Sequence, residues 1–362
     1  MTLKDKTYCV IMAGGIGSRF WPLSQTQTPK QFLDILGIGR TLIQQTFDRF
    51  LPICLPENFL IVTSEEYKDI VLAQLPQLKE EQILLEPARR NTAPCIAYAN
   101  ARIKKKNENA LIVVTPADHY ITQEELFRAN ITRGLEFVDS DDSLLTLGIK
   151  PHRPETGYGY IQIGHEVDNS FPNFRTVKTF TEKPNFELAK VFFDSGEFFW
   201  NSGIFIWSLT TIQKAFKNEL NEVYELFEKS SDQLLTSNET EAIKDIYMSC
   251  PNISIDYGVM EKAKNVYVQT VDFGWSDLGT WTSLHEHTKK DESQNSILNG
   301  NVLLYDTSNS IVHMPNEKIV IIQGLNDYIV VESNNALLIC PKSNEQQIKQ
   351  FVADAKTEFG MK

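Results

Sequence analysis

The sequence predicts an α/β fold: a mostly parallel sheet covered by helices, followed by a small β-rich C-terminal domain. Three observations carry that expectation. Short, nearly all-apolar runs at 8–12, 58–63, 83–85 and 110–114 alternate with stretches of helical periodicity, the pattern of strand–helix repeats. Strands that are apolar at almost every position are buried on both faces. Beyond Lys290 the texture changes to short strands at 302–305, 311–313, 318–322, 328–331 and 337–339 with Asn, Gly and Asp turns between them, which favours a small β-solenoid or a sandwich. A chain of 362 residues also exceeds what one core usually organises, so we expect a domain at 1–290 and a second at 291–362.

The first strand ends at Gly14-Gly15 and runs into Ile16-Gly17-Ser18-Arg19. Glycines there let the backbone approach a ligand closely, and inward-turned N–H groups suit a phosphate. Arg19 and Lys30 add two positive charges, and Pro22 and Pro29 stiffen the segment between them. Two familiar phosphate loops are excluded. A Walker A loop needs Gly-Lys-Ser/Thr after its gap, and a dinucleotide fingerprint needs Gly or Ala where this chain has Phe20.

Thr41 caps a helix that turns Leu42, Ile43, Phe47 and Phe50 inward. After the second strand, Ser64 with Glu65 and Glu66 opens another helix, and the third strand ends in the loop Glu86-Pro-Ala-Arg-Arg-Asn91-Thr92-Ala-Pro94. A helix over 96–106 leads to the fourth strand, which ends at Thr115-Pro-Ala-Asp118-His119. Ligands of such sheets bind beyond the carboxyl ends of the strands, so these loops are the expected walls of a site. Further strands lie at 143–149, around 177–180 and at 203–207, with a helix over 186–194. Residues 211–247 read as a polar helix pair, and 266–270 as a strand leading to Trp275-Ser-Asp277-Leu-Gly-Thr-Trp281. Ser343 with Gln346 suggests a capping box, opening an amphipathic helix of Ile348, Phe351, Val352, Ala355 and Phe359 that caps the solenoid or joins a dimer interface.

The net charge of −12 argues against non-specific nucleic-acid binding, which wants a basic face. Five widely spaced cysteines, with no C-x-x-C pair, fit reduced, mostly buried thiols rather than a disulfide framework or a zinc site. With no signal-like segment and no run of membrane-spanning length, the chain is expected to be cytoplasmic, without membrane or nucleic-acid partners.

Asp118 and Asp277 stand at strand ends in distant parts of the chain. Two such carboxylates suit magnesium, which takes one or two with waters and substrate phosphates. Position alone leaves open that Asp118 caps a turn and Asp277 opens a helix. Glu155-Thr-Gly157-Tyr-Gly-Tyr, Thr181-Glu182-Lys183-Pro and Trp200-Asn201-Ser-Gly offer glycines, a carboxylate, an ammonium and an amide suited to a sugar phosphate. Glu182-Lys183 alone could equally be a surface pair.

AGGIGSRFWPLS followed by PKQF resembles the signature of sugar nucleotidyltransferases, specifically the mannose-1-phosphate guanylyltransferases; EPARRNTAP, PADH, ETGYGYI, TEKP, WNSGIF and WSDLGTW fall in the family's order. One departure is Gln25, where the family often has Arg. The resemblance implies a Rossmann-like, GT-A-like nucleotidyltransferase fold, a mixed sheet with helices on both faces, and a short left-handed β-helix-like solenoid. It implies transfer of GMP from GTP to α-D-mannose 1-phosphate, with Mg2+ on Asp118 and Asp277. Arg19, Lys30 and Lys183 would be catalytic. Gly14, Gly15, Gly17, Ser18, Glu86, Asn91 and Thr92 would face the nucleotide, and Gly157, Glu182 and Asn201 the sugar phosphate. A homodimer is expected. The resemblance covers 7–340, and only the family's single-activity form fits, since the chain stops too early for an attached isomerase domain. Rival readings are a same-fold enzyme for another sugar or base, and a silent nucleotide-sugar-binding regulator; no phosphate lysine or metal aspartate is missing to favour the latter.

Overall fold

The computed structural model describes residues 2–167 and 170–360. Packing divides the chain into two compact units, and they do not follow a division at residue 290. The first consists of the chain up to Gly14, Thr46–Ala117 and Ile121–Trp275; the second consists of Gly15–Gln45, Asp118–Tyr120 and the chain from Ser276 onward. The loop from Gly15, the short segment Asp118–Tyr120 and the solenoid therefore pack as one body.

The first unit is built on strands β1 (Thr7–Met12), β2 (Phe59–Ser64), β3 (Ile83–Glu86), β4 (Leu111–Pro116), β5 (Leu144–Ile149), β6 (Gly159–Glu166), β7 (Phe174–Glu182), β8 (Phe198–Ser208) and β9 (Val266–Val271). Their order is β3-β2-β1-β4-β8-β5-β9-β7-β6. The first four are parallel, as the apolar runs predict, while β8 lies antiparallel to β4 and β5 and makes the sheet mixed. Successive side chains of a strand face opposite sides, so both sides carry apolar cover. Tyr8, Val10, Leu60, Val62, Ile112 and Val114 enter one cluster together with Ile96 and Ile103 of helix α2, which spans Thr92–Lys104 in the chain after helix α1, Leu42–Phe50. On the other side, helix α3 (Glu124–Ser140) comes so close that a Cβ on Gly134 would stand 2.6 Å from Ile206 Cδ1.

Two readings of the sequence need correction here. Helix α2 begins at Thr92, not Ile96, because Pro94 sits in its first turn, where a missing N–H costs nothing. The stretch read as a helix pair holds three helices, α4 (Leu209–Glu219), α5 (Asn221–Lys229) and α6 (Glu239–Ser249).

In the second unit, β10 (Ser296–Asn299), β12 (Ile311–His313) and β14 (Tyr328–Ser333) stack in parallel, as do β11 (Asn301–Tyr305) and β13 (Ile319–Gln323); β15 (Ala336–Pro341) closes antiparallel on β14. Asn301 pairs with Ile319 and Ile311 with Ile329, the same offset in both ladders, and this parallel stacking of successive coils makes it a solenoid and not a sandwich. The capping box at Ser343 does not form: Lys342–Gln347 is a 3-10 turn, and Ser343 donates to Asn344. Helix α7 (Ile348–Phe359) then caps the solenoid through Ile348, Phe351 and Val352, while Phe359, expected on the same face, is 77% exposed. All five cysteines are free and buried, and among the described residues no helix is long and apolar enough to cross a membrane.

Candidate active site

The chemistry-bearing residues form two clusters, one in each unit. The second unit holds the charged one. Gly17 is left-handed (φ +67°), and a Cβ there would stand 2.5 Å from Lys30 Cβ, so the loop turns directly over Lys30. Ser18–Phe20 forms a 3-10 turn that drives Phe20 into the core against Trp281. Ser24 donates to the Ile16 carbonyl and Gln31 to that of Gly15, fixing the loop from below. Gly15 itself is exposed, with open space where a Cβ would stand.

Lys30 is only 2% exposed. Its ammonium lies over the Phe20 ring and donates to Asp118 Oδ2 at 2.9 Å and to the Asp277 carbonyl at 2.6 Å. The resemblance assigned Lys30 to phosphate; in the structure it engages the two aspartate residues expected to hold metal. Burial would raise the Asp118 carboxyl, but the Lys30 ammonium, helped by His119, outweighs it and holds Asp118 below the usual carboxylate range. Asp277 Oδ1 accepts from the Gly279 N–H at 2.8 Å, and a Cβ on Gly279 would strike its other oxygen. Arg19 Nε donates to Gln346 Oε1 at 3.0 Å. Ser18, Arg19, Lys30, Asp118, Asp277 and Lys349 are among the residues lining one cavity of about 230 Å3. Gln25 turns back locally, paired with Thr28 and donating to the Pro22 carbonyl. Among the described residues there is no group of three or more His, Cys, Asp or Glu able to hold a metal. Two hard carboxylates in one cavity still fit magnesium, whose remaining ligands are waters and substrate phosphates.

The cluster in the first unit is built around buried carboxyls. Glu86 ends β3, and its Oε1 accepts from the Tyr247 hydroxyl at 2.9 Å. Burial pushes the Glu86 carboxyl up to about 7, against the pull of Tyr247 and Arg89. Its Oε2 lies 3.5 Å from where a Gly14 Cβ would stand. Asn91 and Thr92 serve the fold: Asn91, at φ +66°, accepts from the Thr92 N–H as the helix cap, and the Thr92 hydroxyl accepts from the Ile255 N–H at 2.9 Å. Arg90 donates to the Tyr247 carbonyl, and Arg89 to Glu66 and Tyr67.

On the strands β6 to β8, Glu182 and Asn201 are neighbours beneath Gly159, whose Cβ would meet Glu182 Oε2 at 2.5 Å and Asn201 Cβ at 3.4 Å. Gly159, not the expected Gly157, is thus the glycine this pair requires; Gly157 donates to Glu155. Lys183 pairs with Glu182 at φ +46°. Asn201 Nδ2 donates to Asp256 Oδ1 at 2.7 Å, and its Oδ1 accepts from Thr146 and from the Gly203 N–H. Burial, with the charge of Glu182 adding to it, pushes Asp256 up to about 6. Asp256 and Tyr247 escaped the reading of the sequence. The only local signal for Asp256 is one acid among Ile253, Ile255, Val259 and Met260.

Residues 8–294 match the family described as nucleotidyl transferase, and 300–354 match the MannoseP isomerase/GMP-like beta-helix domain. The mannose-1-phosphate guanylyltransferase of Escherichia coli K12 is 36% identical over 366 residues, covering 98% of this chain and 74% of that protein. That of Salmonella montevideo is 36% identical over 355 residues, covering 96% of this chain and 74% of that protein. Among solved structures, a protein titled mannose-1-phosphate geranyltransferase from Thermus thermophilus superposes with a TM-score of 0.87 at 31% identity, over 97% of this chain and 99% of that one.

Proposed function

Because this chain belongs to the nucleotidyl transferase family, and within it to the mannose-1-phosphate guanylyltransferases, we propose that it transfers GMP from GTP to α-D-mannose 1-phosphate, releasing pyrophosphate. The observation that carries this reading is the cavity beneath the glycine loop, where cations and two carboxylates meet. A sugar-phosphate oxygen attacks the α-phosphorus, the bond to the β-phosphate oxygen breaks, and pyrophosphate leaves with its electron pair. That oxygen is already ionised at neutral pH, so no general base is needed. Catalysis is then alignment of two polyanions and stabilisation of the departing charge.

Arg19 is assigned to the β- and γ-phosphates, with Gly15, Gly17 and Ser18 presenting the loop. Lys30, pinned to Asp118, orients that carboxylate and adds its charge beside the leaving group. Lys183 is assigned to the sugar phosphate, Glu182 and Asn201 to sugar hydroxyls, and Glu86 to the donors of guanine. Asp118 and Asp277 would hold Mg2+, which when bound neutralises phosphate charge. A homodimer and a cytoplasmic location belong to the same reading. The dimer is supported by the apolar outer face of the solenoid, where Leu303, Tyr305, Ile319 and Ile321 are all more than half exposed.

The test is pyrophosphate release by the purified protein with mannose 1-phosphate and magnesium, comparing GTP, ATP, UTP and dTTP. Release with GTP, abolished by chelator and restored by magnesium, is the expected result. Release with another nucleotide would keep the transfer chemistry and move the base assignment. No release with any of them would count against an active transferase.

A further inference from the structure

Resting on the reading above, we infer that the turn joining the solenoid to helix α7 is a working part of the triphosphate site, with Lys349 as a further phosphate-binding cation and Gln346 as the residue that positions Arg19. Lys349, from the first turn of α7, lines the cavity that also takes Arg19, Lys30, Asp118 and Asp277. One turn earlier, Gln346 accepts from Arg19 Nε at 3.0 Å. That bond uses the Nε edge of the guanidinium and fixes its plane, while its terminal nitrogens remain in the planar fork that suits phosphate oxygens.

Charge gives the reason for a third cation. Arg19 and Lys30 are balanced by Asp118 and Asp277, and Lys30 is already engaged by Asp118. Those four side chains are neutral together, a poor match for a triphosphate. Lys349 leaves the cavity with one net positive charge before any metal arrives. The placement is built into the core. Ile348, beside Lys349, is fully buried in the cluster that holds Phe20, next to Arg19, and Leu278, next to Asp277. Thr282 N–H donates to Glu345 at 2.9 Å, tying the same turn to the helix that follows Asp277. The turn is thus clamped to both phosphate-side segments by contacts internal to the second unit.

Four variants test this: Lys349→Ala, Lys349→Arg, Gln346→Ala and, as a control on the exposed side of the same helix, Lys356→Ala. KM is measured for GTP and for mannose 1-phosphate, along with inhibition by pyrophosphate and the thermal midpoint. Loss of one charge-assisted contact should raise KM for GTP and Ki for pyrophosphate about tenfold in Lys349→Ala. KM for mannose 1-phosphate and the thermal midpoint should stay put, Lys349→Arg should recover wild-type values, and Lys356→Ala should match wild type. Gln346→Ala should raise KM for GTP and Ki for pyrophosphate, leaving KM for mannose 1-phosphate and the thermal midpoint in place. A Lys349→Ala protein with the wild-type KM for GTP and wild-type pyrophosphate inhibition overturns the inference while leaving the proposed function intact. So does a loss that tracks the thermal midpoint in every variant. A wild-type protein that neither binds pyrophosphate nor releases it from any nucleotide overturns the proposed function and this inference with it.

Discussion

Glu86→Gln is the substitution that tests the base-side assignment most sharply. The carboxyl is pushed up to about 7 by burial. Such an acid is about one part in eleven ionised at pH 6 and about ten parts in eleven at pH 8, a ratio of about ten. Guanine presents N1–H and N2–H2 to its partner, and a carboxylate can accept from both, whereas an amide accepts at one atom and opposes a donor at the other. Wild-type affinity for GTP should therefore rise about tenfold between pH 6 and pH 8 through Glu86. The variant loses that component, and at pH 8 it should bind GTP about ten to a hundred times more weakly, because a buried donor is left unmatched. The Tyr247 hydroxyl, which now donates to Glu86 Oε1, can donate to the amide oxygen instead, so the fold should persist. Calorimetric titration of GTP into both proteins at pH 6, 7 and 8 separates this effect from ionisation of the γ-phosphate, which both share. Parallel pH profiles for the two proteins would refute the assignment.

Two further substitutions follow from the geometry. Gly17→Ala forces a Cβ at positive φ to within 2.5 Å of Lys30 Cβ, so it should lower both the thermal midpoint and kcat. Gly15→Ala meets open space and should leave stability within about 0.5 kcal/mol while raising KM for GTP; a destabilised Gly15→Ala would mean the loop faces protein rather than ligand. Asp256 has a folded-state pKa raised from 3.8 to about 6, so its contribution to stability is complete below pH 3.8 and is lost as the pH rises through about 6. Asp256→Asn keeps the acceptor for Asn201 and should gain on wild type by about 1–3 kcal/mol between pH 5 and pH 8 in urea unfolding; an unchanged gap between the two proteins would remove burial as the cause.

Strands β1 to β4 were legible because each is an apolar run with a turn signal at its end, and they sit where the sequence puts them; β6, whose Gln162, His165 and Glu166 break any apolar run, was not. The charged cluster was legible for a related reason: Arg19, Lys30, Asp118 and Asp277 lie one to three residues from apolar segments that anchor them. What was not legible depends on partners distant in the chain. Nothing near Gln346 says that its amide goes to Arg19 rather than into a capping box; the tertiary contact wins over the local one. Asp256 acquires its character only from Asn201 and Glu182, and Tyr247 from Glu86. Gly159 outranks Gly157 because its partner in the ladder is Glu182, which is a matter of register rather than composition.

The second unit draws on three separate stretches of chain, and this has a consequence during synthesis. A nascent polypeptide that has reached Val271 carries every strand of the large sheet, together with Arg19, Lys30 and Asp118. It still lacks Asp277, Gln346 and Lys349, and it lacks the solenoid and terminal-helix side chains that bury Phe20, Ile35 and Leu42. Domains tend to fold as units, so the phosphate cavity is completed only once Lys349 has been made, long after its first residues have left the ribosome. Synthesis interrupted between Val271 and Lys349 leaves a chain with its sheet encoded in full and its triphosphate site unfinished.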